Sequence, residues 1–437
     1  MGWARLSMQA REGSGYNYSA SELARGLALS GHTVSYLRTG MDYSIRPGIR
    51  TRRRESWEGV DCHDLVNSPN LSPSYFNFDA PQGDVAQPAL VRVILKWLDE
   101  RGVDLVHIHS MEGLSNDLIR AIRQSGRPVL VSLHNYSVVC PQVDLLRKET
   151  SVCMDYDGGR ACVGCLTPPS RRFERTKRRV EQCIRATLGP EGESFIRHCI
   201  HIAKMVRARR RTDTPYVRQP DPELALGFEV DDAGRHSGEI EHNHFLHTNE
   251  TPVTLGRAPM DQNERFLRAD HHLTVLNDYG TRRVKGIEAL NEASLVTPPS
   301  RFLLDVHRTM GLKPERSRHV RLGQPHFDQI NRRTRRSPFY DVRPWSPGDP
   351  RPCRFGFWGT TRNNKGLEIL VSAIPLLDRD VRRHCQFLIR AGGWEWTFRK
   401  RLSRYPEVQF AGGYDELQLI AGGGEYDVGI LPHVWFE

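Results

Sequence analysis

Apolar positions along this chain switch repeatedly between a strand-like run and a helix-like period, and the switch is clearest from Val103 to Cys140. A short apolar run, Val103 to Ile108, is followed by Leu114, Leu118, Ile119 and Ile122 at the spacing that lines one helix face. Gly126 and Pro128 stop that helix, and Val129 to Leu133 read as a second buried strand. Strand, helix, strand at this spacing is a βαβ unit, which predicts a parallel sheet covered on both faces.

The same rhythm extends to both sides. Trp3 to Gln9 is a weak strand candidate, Gly13-Ser14-Gly15 a loop, and Ser19 with Glu22 a capping box for a helix running to Gly31. Strands are expected over Thr33 to Leu37 and Val60 to Val66, with Thr51 to Arg54 as a solvated basic run. Pro88 opens a helix with Val91, Ile94, Leu95 and Leu98 inward. Residues 212–262 show no periodicity and read as an insertion. Order resumes with a helix around Val284 to Leu290, a strand Ser294 to Thr297, a Ser300-capped helix, and a last strand Val320 to Leu322. A Pro-rich, basic stretch of linker composition follows. Beyond it come strands at Arg354 to Trp358, Gln386 to Ile389, Val408 to Phe410 and Val428 to Leu431, with Lys365-Gly366 opening a helix. The reading is α/β with two Rossmann-like domains: 1–322 with an insertion at about 167–270, a linker 323–352, and 353–437. Four strands and no closing helix make the second domain incomplete as read.

Size agrees with two domains, since single cores stop growing near about 250–300 residues and the chain has 437. No apolar run approaches the ~18 residues of a membrane span, and no signal-peptide core is present. Nine cysteines without a secretion signal fit a reducing, cytoplasmic setting. The net charge of +10 points to an anionic partner. The basic runs Arg171 to Arg179 and Lys204 to Arg211 flank an amphipathic pattern, Phe195, Cys199, Ile202 and Val206. Such a helix can lie on an anionic membrane surface, or be a solvated arm against the domain. The runs lack the aromatic interleaving of a single-strand binder, which argues against nucleic acid.

Candidate chemistry gathers at strand ends. His107, His109 and His134 stand at the carboxyl ends of the two central strands, where open α/β sheets bind their ligands. Glycines before a helix, here Gly13 and Gly15, let backbone amides approach a phosphate. Cys140, Cys153, Cys162 and Cys165 include one C-x-x-C pair, which permits a structural zinc site or, equally, reduced cysteines in a lid. His242, His244 and His247 form a weaker metal candidate in the aperiodic stretch.

In order and spacing, GSGYNYSASELARGLALSGHTV, VDLVHIHS, PVLVSLHNY, ASLVTPPS, FGFWGTTRNNKG, VQFAGGY and DVGILP resemble the retaining glycosyltransferases of family four. The resemblance implies the GT-B fold of two facing Rossmann-like domains, with a nucleotide-sugar donor (UDP- or GDP-linked) in the cleft and a glycan or lipid-linked acceptor. It places Gly15 near the donor phosphates and His134 beside the reacting sugar. Lys365 falls on the lysine that meets the pyrophosphate, in a loop that includes Gly359. Where the family usually has an arginine after that glycine this chain has Thr360, which leaves Lys365 and Arg362 to neutralise phosphate. Glu437 matches the first glutamate of a pair whose second member lies past the last residue. The implied reaction needs no metal at the donor site. Thr360 and the absent second glutamate also permit a different class, a GT-B-like protein that binds nucleotide-sugar without transferring it.

Overall fold

The computed structural model describes residues 1–12, 14–148, 151–153, 155–189, 276–322, 345–393, 395–414 and 425–433. The basic run Lys204 to Arg211, His242, His244, His247 and Glu437 lie outside these residues.

The chain builds two α/β units, each around its own parallel sheet and core. In the first, α1 (Ser14–Leu29) is followed by β1 (Ser35–Asp42), β2 (Arg50–Arg53) and β3 (Asp61–Val66). Then come α2 (Pro88–Glu100), β4 (Val106–Ile108), α3 (Asp117–Gln124) and β5 (Val129–Val131). A small hairpin, β6 (Leu146–Arg147) and β7 (Ser151–Val152), follows. Residues 171–189 form α4, and α5 (Asp278–Glu292), β8 (Leu295–Val296) and α6 (Arg301–Thr309) complete the unit. The second unit holds β9 (Cys353–Thr360), α7 (Leu367–Ala373), β10 (Cys385–Gly392), α8 (Trp396–Leu402), β11 (Val408–Phe410) and β12 (Val428–Ile430).

β4, β5 and β8 pair in parallel, as do β1 and β3, with β2 antiparallel at the edge. Between these two groups lie Met1 and Gly2. Gly2 bridges Arg38 of β1 in parallel, while the Met1 carbonyl accepts from His109 N and its amine donates to His107 O at 2.6 Å. Residues 1–2 thus link the two three-stranded groups by main-chain hydrogen bonds. Leu37, Leu65, Ile94, Ile108, Leu118 and Val131 share one core. In the second unit the order is β11-β10-β9-β12, all parallel, over a core that includes Phe357, Leu370, Phe387 and Ile389. The α/β class and the central βαβ unit agree with the sequence reading.

Four local readings need correction. Trp3 to Gln9 is no strand: Leu6–Arg11 form a 3-10 turn, pinned because the Asn17 amide donates to the Arg5 and Gln9 carbonyls at 2.7 and 2.9 Å. Helix α1 begins at Ser14, ahead of the expected capping box. Ser19 is buried inside it and Glu22 binds Gln9 and Arg25 instead. Thr51 to Arg54 is not a solvated run, since Arg52 and Arg54 pair with Asp42 and Asp64 of the neighbouring strands. Val320 to Leu322 is not a strand either; the sheet is extended by a single bridge, Val296 to Ser317. Among the described residues no helix is long and apolar enough to cross a membrane.

Candidate functional site

The carboxyl ends of β4 and β5 deliver three imidazoles in a row. The His107 and His109 rings are 4.0 Å apart, and His109 and His134 stack at 5.8 Å. They differ in what they can do. His107 Nε2 lies 2.9 Å from Ser132 Oγ, which lies 2.9 Å from Thr297 Oγ1, so this ring ties three strands together. His109 is buried between the other two rings. His134 stands one step farther out, and neither of its ring nitrogens has a hydrogen-bond partner. Burial lowers its pKa to about 4 and that of His107 to about 3. Near neutral pH His134 is thus an uncharged ring with one N–H and one lone pair uncommitted.

The first turn of α1 closes on this ring. Tyr16 sits 5.4 Å from His134 and 5.7 Å from Trp3, and its hydroxyl accepts from Ala4 N at 3.0 Å. Gly15, exposed, is the residue just before Tyr16 in that turn.

Sequence reasoning missed Glu112, which is 3% exposed and joins the loops around the site. Its Oε2 accepts from Ser74 N at 2.7 Å and its Oε1 from Asn135 Nδ2 at 3.4 Å, with the Trp3 side chain a further donor. Burial outweighs those donors and raises its pKa. The available signal was an acid in the loop after β4, paired with an asparagine directly after His134. Two consecutive arginines of α5 fix the following turn. Arg282 donates to the Ser137 and Val138 carbonyls and to Asp84, and Arg283 to the Val139 carbonyl. The Arg283 guanidinium also lies 3.4 Å from the Tyr156 ring centroid.

In the second unit Gly359 and Thr360 end β9, with Gly359 buried and Thr360 exposed. Lys365 lies in the turn before α7. Gly366 has φ 70°, and a Cβ there would fall 1.6 Å from the Pro432 carbonyl oxygen. Only glycine lets the loop after β12 approach this turn. That approach sets Lys365 near His433, whose pKa falls through burial and then through the lysine's charge. Arg362 is exposed on the same loop. Across the two units, Asn364 Nδ2 donates to Asp144 Oδ2 at 3.3 Å.

Two other expectations meet a different arrangement. Cys140, Cys153, Cys162 and Cys165 are free thiols in one loop region. Burial first, then neighbouring thiols, push Cys153 to about 11 and Cys162 to about 12. Their sulfurs take local partners: Cys153 Sγ donates to Asp155 O, and Cys165 Sγ accepts from Lys148 N and faces Leu146 O. Among the described residues no three His, Cys, Asp or Glu side chains are arranged to hold a metal ion. The first basic run is also turned inward in part. Arg171 and Arg175 donate to the Pro69 carbonyl, and Arg178 to the Gly40 and Ser72 carbonyls, while Arg172, Lys177 and Arg179 face solvent.

A family model described as a glycosyl transferase 4-like domain matches residues 14–206, a span that contains Gly15, Glu112, His134 and Asp144. No curated protein matches the chain. Among solved structures, an α,α-trehalose-phosphate synthase (UDP-forming) from Burkholderia xenovorans, in complex with glucose-6-phosphate, is similar at 10% identity and a TM-score of 0.39. The alignment covers 94% of this chain and 74% of that one. The apo structure of OtsA is similar at 10% identity and a TM-score of 0.41, over the same shares.

Proposed function

We propose that this protein is a glycosyltransferase of GT-B type that moves a sugar from a UDP- or GDP-linked donor to a polysaccharide or lipid-linked acceptor, with retention of anomeric configuration. The observation that carries the reading is His134, an uncharged ring with two unpartnered nitrogens, set against the first turn of α1. The glycosyl transferase 4-like match over that stretch supports it. In this reading residues 1–322 form the acceptor side and 353–437 the donor side, joined by 323–352, and the work is done at the inner face of the membrane.

The chemistry follows from charge. As the glycosidic bond breaks, negative charge grows on the departing pyrophosphate. Lys365 and the backbone amides around Gly15 and Thr360 would meet that charge, and removing one such preset donor typically costs on the order of 10²–10³ in rate. His134 contributes hydrogen bonds to the sugar rather than charge. No divalent metal is assigned to the donor site.

A thermal-shift screen of UDP-, GDP- and ADP-sugars tests the reading. A donor at a hundredfold excess over its Kd stabilises the folded chain by about 2.7 kcal/mol. One nucleotide class should raise Tm, and the same donor should release nucleoside diphosphate when acceptor is added. A Tm shift without release would favour a binding protein.

A further inference from the structure

The turn of the first unit that reaches Asn364 of the second is built on an unfavourable backbone. Val143 has φ 85° and Leu145 φ 52°, so Asp144 is flanked by two left-handed residues, one of them β-branched. Such residues persist only where the surroundings over-determine them, and they cluster at ligand-gripping sites. Here the surroundings do so. Val143 O accepts from Tyr136 N and Leu145 O from Cys153 N, at 3.1 and 2.7 Å. Gln142 Oε1 holds Leu146 N at 3.0 Å, and Leu145 is fully buried. The result is that Asp144 is thrust forward to Asn364, whose amide donates to it. Asn364 is 5% exposed, yet its Oδ1 has no hydrogen-bond partner. It directly precedes Lys365, and Asp144 lies close enough to Glu112 to influence that acid.

Resting on the donor-site reading above, we propose that Asp144 and Asn364 together determine sugar specificity. The carboxylate of one and the unpartnered amide oxygen of the other accept from two hydroxyls of the donor sugar. The sugar is thereby held between His134 on one unit and Lys365 on the other. A carboxylate hydrogen bond to a hydroxyl is directional and strong, which suits it to choosing between sugars that differ in the placement of one hydroxyl. The nucleoside diphosphate itself makes no use of this pair.

The test separates sugar from nucleotide. Binding of UDP-glucose, GDP-mannose, UDP and GDP to the full chain is measured by calorimetry for wild type, Asp144→Ala and Asn364→Ala. For the nucleotide-sugar that wild type binds, each variant should weaken affinity by at least about tenfold, while the matching nucleoside diphosphate stays within about twofold. Asn364→Ala addresses the pair from the second unit should Asp144→Ala fail to fold. Equal loss for both ligands, or no loss for either, overturns the inference and leaves the donor site standing. If wild type binds none of the four, the donor-site reading falls and takes this one with it.

Discussion

Replacing Arg282 by methionine tests how the turn after His134 is held. The Arg282 side chain is 3% exposed and the Asp84 side chain 10%, with Nε to Oδ2 at 2.8 Å. Its other nitrogens reach Ser137 O at 2.5 Å and Val138 O at 3.2 Å. Methionine fills much of the volume but leaves Asp84 a buried, unpaired charge, which typically costs about 3–5 kcal/mol. Two carbonyls lose a donor as well, each worth about 1–3 kcal/mol if it stays dry. The sum is a large fraction of the roughly 5–15 kcal/mol that holds a domain. Burial already raises the Asp84 pKa, partly offset by Arg282. An acid with a folded pKa above its unfolded value binds more protons when folded, so stability falls as pH rises through that window. Without the arginine the window widens. R282M should therefore lose at least about 3 kcal/mol at pH 7 in urea titrations, with a smaller loss as the pH drops toward the carboxyl range. Asp84→Asn combined with R282M should recover part of it. A pH-independent loss under about 1 kcal/mol would refute the clamp.

Three further outcomes are expected. Lys365→Met should weaken nucleoside diphosphate binding by at least about tenfold with no change in Tm, which calorimetry and melting curves check together. Buried neutral histidines, His134 near 4, His107 near 3 and His307 near 4, bind fewer protons folded than unfolded below 6.5. Stability of the first unit should consequently fall as pH drops from 6.5 toward 4, and a flat profile in that interval would contradict the burial of these rings. Metal analysis of protein purified under reducing conditions decides between the two readings of the thiols: with Cys153 and Cys165 already bonded to nearby backbone, well below one zinc per chain is expected, and a full equivalent would assign Cys140, Cys153, Cys162 and Cys165 to a metal site.

Much of the frame was readable from periodicity. The βαβ unit from Val106 to Val131 and the restart at β9 follow from apolar runs alternating with helical stripes, and burial enforces both patterns. What failed depended on tertiary partners. The run Thr51 to Arg54 reads as solvated until Asp42 and Asp64 are seen beside it. Leu6–Arg11 turn because a side chain on α1 claims their carbonyls. The position of His134 just past a strand end was legible because strand ends are predictable places. Glu112, Arg282 and Asp144 were not, since each acts through residues between 23 and 220 positions away. The strained turn at Val143 leaves no mark in composition at all.

The most direct test of the account is turnover by His134→Ala beside wild type, with donor followed by NMR through its anomeric proton and nucleoside diphosphate release counted. Wild type should release nucleoside diphosphate from one UDP- or GDP-sugar, and the variant at least about a hundredfold less at unchanged nucleoside diphosphate affinity and unchanged Tm. Equal turnover in the two proteins would contradict the account.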